Sequence, residues 1–268
     1  MKALKNYYAL ITGGSTGIGR SIAVSCARRG MNLILVALPE QCLDETAQYL
    51  RSSYHISVET YGCDLSEPES CTGLVDWIRN KNLQVNVLIN DAGIGCTGAF
   101  EHFSESFYEK QIKLNVIAPT LLIRSLIGDM KKNGGGYIMN VGSLAGFFSI
   151  PFKDVYAATK SFVNNFSRAL RSELKHSGIQ VSVLCPGGVR TNKQVTAYLD
   201  HHSWIANQTT VSAEEVGEQA VAKMLAGKAV IMPGLLNRIM YRLNKLVPRS
   251  ITEGIAKSEF RKVALEAA

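Results

Sequence analysis

The sequence predicts an α/β protein built on one doubly wound parallel sheet. Three observations carry that expectation. Short apolar runs alternate with longer amphipathic stretches from end to end. The runs hold Val, Ile and Leu at both alternating positions, as strands covered on both faces must. No linker, internal repeat or break in composition divides residues 1–268, so the chain reads as a single domain.

The elements follow in order. Seven candidate strands are Tyr8–Thr12, Asn32–Ala37, Val58–Gly62, Val85–Asn90, Gly136–Val141, Gln180–Cys185 and Ala229–Met232. Helical periodicity fills 17–29, 40–53, 67–81, 104–131, 154–177 and 213–226 between them. Right-handed crossovers then place helices on both faces of the sheet. Residues 187–212 lack strand periodicity and are rich in Thr, Asn and His. They are expected to form a substrate loop, since long loops in compact domains are functional lids or disordered segments.

A C-terminal extension covers 233–268. Leu235, Leu236, Ile239, Met240, Leu243, Leu246 and Val247 recur at helical spacing, with Arg238, Arg242, Lys245 and Arg249 on another face. Three readings stay open for this cationic amphipathic helix. It packs on the domain, it lids an apolar substrate cleft, or it makes a peripheral contact with an anionic membrane surface.

Composition excludes several classes. Charged residues make up 19% and hydrophobic residues 46% of 268 residues, which is ordinary globular usage. No apolar run approaches the ~18 residues of a membrane span, and the one after Lys5 is too short for a secretory signal. A cytoplasmic location is expected. Six scattered cysteines without a C-x-x-C pair suit reduced thiols, and the five histidines show no ligand spacing, so no metal is expected. The net charge is +7, but residues 228–268 hold eight Lys/Arg against three Glu. A basic tail without a recognition motif does not indicate nucleic-acid binding.

The first strand runs into Thr12-Gly13-Gly14-Ser15-Thr16-Gly17-Ile18-Gly19, and a helix opens within that turn. Gly13 permits the tight turn, Gly17 lets backbone approach a pyrophosphate, and Gly19 permits close helix packing. Free N–H groups and the helix dipole then hold phosphates, with Ser15 and Thr16 adding hydroxyls. A P-loop reading fails because Arg20 stands where G-x-x-x-x-G-K-S/T needs Lys.

Further motifs lie in order: Asp64-Leu65, Asn90-Asp91-Ala92-Gly93, Asn115, Ser143, Tyr156-Ala157-Ala158-Thr159-Lys160 and Pro186-Gly187. With the glycine turn they resemble the short-chain dehydrogenase/reductase family over roughly residues 6–191. The tail, with Ile231-Met232-Pro233-Gly234, resembles the branch acting on apolar carbonyls such as hydroxysteroids and long 3-ketoacyl chains. The resemblance implies a Rossmann-like seven-stranded sheet and an NAD(P)-dependent oxidoreductase interconverting a carbonyl and a secondary alcohol. It also implies a homodimer or homotetramer built on helices near 104–131 and 154–177.

The residues allow that chemistry. Tyr156 and Lys160 are one helical turn apart and share a face. A phenol titrates near ~10, and a neighbouring ammonium stabilises the phenolate and is expected to lower its pKa. Ser143 ends the fifth strand, at the carboxyl edge where ligands bind, and its hydroxyl can orient a carbonyl. Ser143 also suits a helix N-cap, and Asn115 a satisfied buried amide.

By resemblance, Tyr156 is the acid/base, Lys160 also bonds the nicotinamide ribose, and Asn115 holds a relay water. Asp64 and Leu65 would contact the adenine, and backbone near Asn90, Ala92 and Gly93 the adenosine. Pro186, Gly187 and Val189 would border the nicotinamide, with Thr191 on its carboxamide. Asp91 departs from the family, which usually has a second Asn there, and a changed strand-pairing contact is expected. Phe147, Phe148, Ile150, Phe152, Tyr198 and Trp204 either line an apolar pocket or pack on the sheet edge. No Asp ends the second strand to select NAD(H), and no arginine stands there to grip a 2′-phosphate, so the balance tips only narrowly to NADP(H). The alternative from another class is a catalytically silent dinucleotide-binding sensor or scaffold.

Overall fold

The computed structural model describes residues 7–191 and 210–243, and near the C-terminus 252–254, 256–258 and 260–261. The first half alternates strand and helix: β1 (Tyr8–Thr12), α1 (Gly17–Ala27), β2 (Asn32–Ala37), α2 (Gln41–Tyr54), β3 (Val58–Gly62), α3 (Pro68–Asn80) and β4 (Val85–Asn90). Next come α4 (Glu105–Ile112), α5 (Ala118–Lys132), β5 (Gly136–Val141), α6 (Asp154–Glu173) and β6 (Ile179–Leu184). The last part holds β7 (Val189–Arg190), β8 (Val211–Ser212), α7 (Ala213–Leu225), β9 (Val230–Ile231) and α8 (Leu235–Leu243).

Seven strands form one parallel sheet in the order β3-β2-β1-β4-β5-β6-β9. Two-residue alternation assigns each side chain to a face. Ala9 and Ile11 of β1, with Leu33 and Leu35 of β2, join the core under α1, α2 and α7. Leu10, Ile34 and Val36 join the opposite core, under α3, α5 and α6. The central strands are therefore mainly apolar on both faces, with Asn90 and Asn140 among the buried polar exceptions, which explains the runs in the sequence. The strand order reverses between β1 and β4, and that switch point opens a crevice at the carboxyl ends of the strands.

The predicted strands and most helices form within a few residues of their expected bounds. The stretch 104–131 is not one regular helix. α4 ends at Ile112, a wider π-turn covers Lys113–Ile117, and α5 continues from Ala118. The π-turn holds the buried Asn115, and such single-turn bulges recur at functional sites. The expected substrate loop 187–212 holds a short strand near each end, because Val189 and Arg190 pair with Val211 and Ser212. Tyr198, Trp204 and the rest of 192–209 lie outside the described residues, as do Lys245, Leu246, Val247 and Arg249.

α8 follows the helical periodicity of the extension, and Tyr241 packs its ring on Phe147 at 4.6 Å. Leu235, Leu236, Ile239 and Leu243 remain exposed. Among the described residues no helix is long and apolar enough to cross a membrane.

Candidate active site

The glycine turn fastens the ends of β1 and β4 together. Thr12 Oγ1 accepts from the N–H groups of Asp91 and Ala92, each at 3.1 Å. Gly13 has φ +68°, a left-handed conformation that favours glycine. At Gly19 a Cβ would sit 2.2 Å from the Gly13 carbonyl oxygen and 2.7 Å from Asp91 Oδ2, so α1 can lie this close only without a side chain. Thr46 Oγ1 donates to the Ser15 carbonyl at 3.0 Å and steadies the turn from α2. Thr16 caps α1 without a side-chain hydrogen bond, so its first N–H groups are left for an anion.

A crevice of about 1340 Å³ opens from this turn. Gly13, Ser15, Thr16, Gly17 and Ile18 line its start, followed by Ala92 and Gly93. Ser143, Tyr156 and Lys160 line its middle, and Pro186, Gly187, Val189 and Thr191 the facing wall. Thr191 packs beside Gly17, where a Cβ would lie 3.3 Å from it.

Gly19, Asp64, Leu65, Asn90 and Asn115 do not form the wall. Asp64 Oδ2 pairs with Lys110 Nζ at 2.8 Å, and Oδ1 accepts from the Ser66 amide and hydroxyl. Burial works against this carboxylate, but those donors outweigh it and hold its pKa down at about 2. Leu65 belongs to the core. Asn90 Nδ2 donates to Asn140 Oδ1 at 2.8 Å, and Asn140 Nδ2 donates to Ser167 Oγ at 2.9 Å. These amides tie β4, β5 and α6 together beneath the crevice.

The polar cluster is built by α6. Tyr156, Lys160, Asn164 and Ser167 recur along its inner face at helical spacing. Lys160 is buried, and its Nζ donates to the Val141 carbonyl at 2.8 Å and lies 5.8 Å from the centre of the Tyr156 ring. Asn164 Nδ2 donates to the Ser143 carbonyl at 3.0 Å and fixes the residue that faces Tyr156. Ser143 Oγ accepts from the Ala145 amide at 3.1 Å, so it also caps the short turn after β5.

Asn115 is the satisfied buried amide its sequence allowed. Its Oδ1 accepts from the Ile94 amide at 2.9 Å. Its Nδ2 donates to the Ile94 carbonyl at 2.9 Å and to Thr159 Oγ1 at 3.1 Å. Both donors are used, and Thr159 in turn bonds the Tyr156 carbonyl at 2.7 Å.

Charge at the site differs from the sequence expectation. Burial raises the Tyr156 pKa, a hydrogen bond with Ser143 pulls it back, and the Asp91 charge raises it further. Burial lowers the Lys160 pKa, with Asp91 opposing. The expected lowering of the phenol by Lys160 is absent from the free site, because desolvation dominates both groups.

Sequence reasoning missed several lining residues, Asp91, Arg20 and Lys153 among them. Asp91 lines the crevice, and burial raises its pKa to about 7. Arg20 lines the glycine-turn end, stacked over Tyr49 at 5.3 Å. Lys153 lines the other end, and nothing in its sequence context marked it. Of the aromatic candidates, Phe147 and Phe148 pack against Leu144, Val163 and Met232 at the sheet edge. Phe147, Phe148, Ile150 and Phe152 do not line the crevice. Among the described residues no three His, Cys, Asp or Glu side chains gather as metal ligands.

A doubly wound sheet, an open helix N-terminus at its switch point and a Ser-Tyr-Lys cluster on the same crevice define an NAD(P)-dependent oxidoreductase. The profile of the short chain dehydrogenase family matches residues 7–201, and the chain belongs to that family. It is 32% identical over 192 residues to the very-long-chain 3-oxoacyl-CoA reductase-A of Danio rerio, a match covering 69% of this chain. That match spans 58% of the Danio protein, under two thirds of its length.

A short-chain dehydrogenase from Sphingobium yanoikuyae, in complex with NADPH, superposes with a TM-score of 0.78 at 31% identity, covering 93% of this chain and 94% of that one. L-sorbose reductase from Gluconobacter frateurii, complexed with NADPH and L-sorbose, superposes with a TM-score of 0.77 at 25% identity, covering 87% of this chain and 96% of that one.

Proposed function

We propose that the chain reduces the carbonyl of a small-molecule ketone to a secondary alcohol with NADP(H), through Ser143, Tyr156, Lys160 and Asn115. The observation that carries this reading is the convergence of Ser143, Tyr156 and Lys160 on one wall of a crevice that begins at the open N-terminus of α1. The left-handed Gly17, φ +54° and on the crevice wall, also offers the bare backbone that a pyrophosphate needs.

A bound nicotinamide supplies the hydride. The protein's part is proton handling and charge stabilisation. Ser143 Oγ donates to the carbonyl oxygen and holds it against Tyr156. The Tyr156 hydroxyl gives its proton to that oxygen as negative charge develops there. The raised pKa of Tyr156 keeps the phenol protonated at neutral pH, which suits reduction. Lys160 stabilises the phenolate left behind and bonds the ribose of the cofactor. The Asn115 amide has spent both donors, so its relay water binds a free Oδ1 lone pair or the main chain of the π-turn. Asp64, Leu65 and Asn90 support the adenosine end from behind the wall.

NADP(H) is favoured because no carboxylate ends β2, where Ala37 and Leu38 stand, and because Arg20 puts a guanidinium at that end of the crevice. The two aligned relatives complexed with NADPH support the same choice. Six free thiols agree with a reducing, cytoplasmic setting. The exposed Phe100, Ile112, Ile117 and Phe162 support a homo-oligomer through α4, α5 and α6. In the C-terminal extension, Phe260 reaches the crevice residue Lys153, which supports the lid reading. The exposed apolar residues of α8 beside Arg238 and Arg242 keep a peripheral membrane contact as the second reading.

Titrating the purified protein with NADPH and NADH, followed by nucleotide fluorescence, tests the assignment. Tighter binding of NADPH is expected. Preference for NADH would overturn the cofactor choice, and binding of neither would overturn the enzyme reading in favour of another ligand.

A further inference from the structure

At the substrate end of the crevice the chain enters α6 through two unusual residues. Phe152 has φ +67°, a left-handed conformation that is strained for a bulky side chain. Its carbonyl is pinned by the Gly98 amide at 2.9 Å. The next residue after this strained turn is Lys153. Lys153 lines the crevice beside Cys96, Thr97, Ser143 and Tyr156.

The ammonium placed there has no carboxylate partner among the described residues. Its recorded neighbours are two ring faces, Tyr156 at 5.7 Å and Phe260 at 5.3 Å from the ring centres. Both are near the ~6 Å limit of a cation–π contact, which gives only a small part of what full hydration gives. The adjacent Asp154 is exposed, and its Oδ1 accepts from the Val155 amide instead. Burial lowers the pKa of Lys153, and it also raises that of the Cys96 thiol, which leaves Cys96 neutral and unable to serve as the counter-ion. Lys160, the other lysine lining the crevice, already donates to the Val141 carbonyl.

A half-buried cation without a carboxylate partner among the described residues gains from an anion that fills the place. We propose that Lys153 is a specificity-determining residue that binds the carboxylate of a keto-acid substrate whose ketone is presented to Tyr156 and Ser143. With the Lys160 ammonium committed to the Val141 carbonyl, the Lys153 ammonium matches a single negative charge, which favours a carboxylate over a phosphate. The Phe260 ring from the C-terminal extension stands on the same ammonium, 5.3 Å from it. This deepens the carbonyl-reductase reading and rests on it.

The test is calorimetric titration of the full chain, saturated with NADP⁺ and also free, with octanoate, octyl phosphate and 2-octanone. The wild-type protein should bind octanoate about tenfold or more tightly than 2-octanone, the usual scale for a charge-assisted pair in a partly dry site. Lys153→Met should bind octanoate and 2-octanone alike, while Lys153→Arg should keep the preference. Thermal unfolding of both variants shows that they are folded.

Octanoate binding no tighter than 2-octanone in the wild type, or an unchanged preference in Lys153→Met, would overturn the proposal. Tighter binding of octyl phosphate than of octanoate would overturn the carboxylate assignment. NADPH fluorescence in the same samples separates these outcomes from failure of the cofactor reading.

Discussion

The carboxylate of Asp91 accepts a hydrogen bond from the main-chain amide of Gly19 while facing the buried ammonium of Lys160. It therefore joins the glycine turn to the catalytic helix through one ionisable group. Burial outweighs both favourable contacts and raises its pKa to about 7. Below that pH the group is neutral. Above it a negative charge lines the crevice that takes an anionic nucleotide.

NADPH affinity of the wild-type protein should consequently fall as pH rises through about 7, at most about tenfold per pH unit for one proton. In Asp91→Asn the midpoint near neutrality should disappear, while the Gly19 amide keeps an acceptor. Dissociation constants measured between pH 6 and pH 8 check this. An unchanged pH profile in the variant would assign the titration elsewhere.

Gly19→Ala should cost about 3 kcal/mol or leave the chain unfolded, because the new Cβ meets the Gly13 carbonyl oxygen at 2.2 Å, backbone against backbone. Gly30→Ala is the control. It has φ +74° but nothing within 4 Å, so only backbone strain of about 1 kcal/mol applies. Urea unfolding of the two variants compares a steric cost with a conformational one.

Asn140→Ala should destabilise the fold by about 2 kcal/mol or more. It removes the acceptor of Asn90 Nδ2 and one partner of Ser167, leaving buried polar atoms unpaired. Asn140→Asp should leave those Asn90 and Ser167 groups better paired but place a charge in the core, and is expected to be pH-sensitive where Asn140→Ala is not. Thermal midpoints across pH distinguish them.

Much of this was legible in the sequence because strict physical demands write themselves into residue choice. Strands buried on both faces are apolar at most positions on either side, so β1, β2, β4 and β5 are visible as runs. A helix packed against its own turn excludes a side chain at Gly19. The π-turn at Lys113–Ile117 left no such mark, since its residues suit an α-helix equally well. The inner face of α6 was half read. Tyr156 and Lys160 were recognised, while Asn164 and Ser167 extend the same polar stripe at the same spacing and were passed over.

Asp91 was visible as a departure from the family, but its direction and burial depend on the closeness of Gly19, which only tertiary packing fixes. Lys153 carried no signal at all. A lysine before a helix is ordinarily a solvated charge, and here, following the left-handed Phe152, it lines the crevice.

The central claim is that Tyr156 gives the proton that completes carbonyl reduction. Single-turnover reduction of 2-octanone by NADPH, compared in wild type and Tyr156→Phe, tests it most directly. The account predicts a rate loss of about a thousandfold, within the range for a lost general acid, with NADPH affinity kept. Hydride transfer at the wild-type rate in Tyr156→Phe would contradict it.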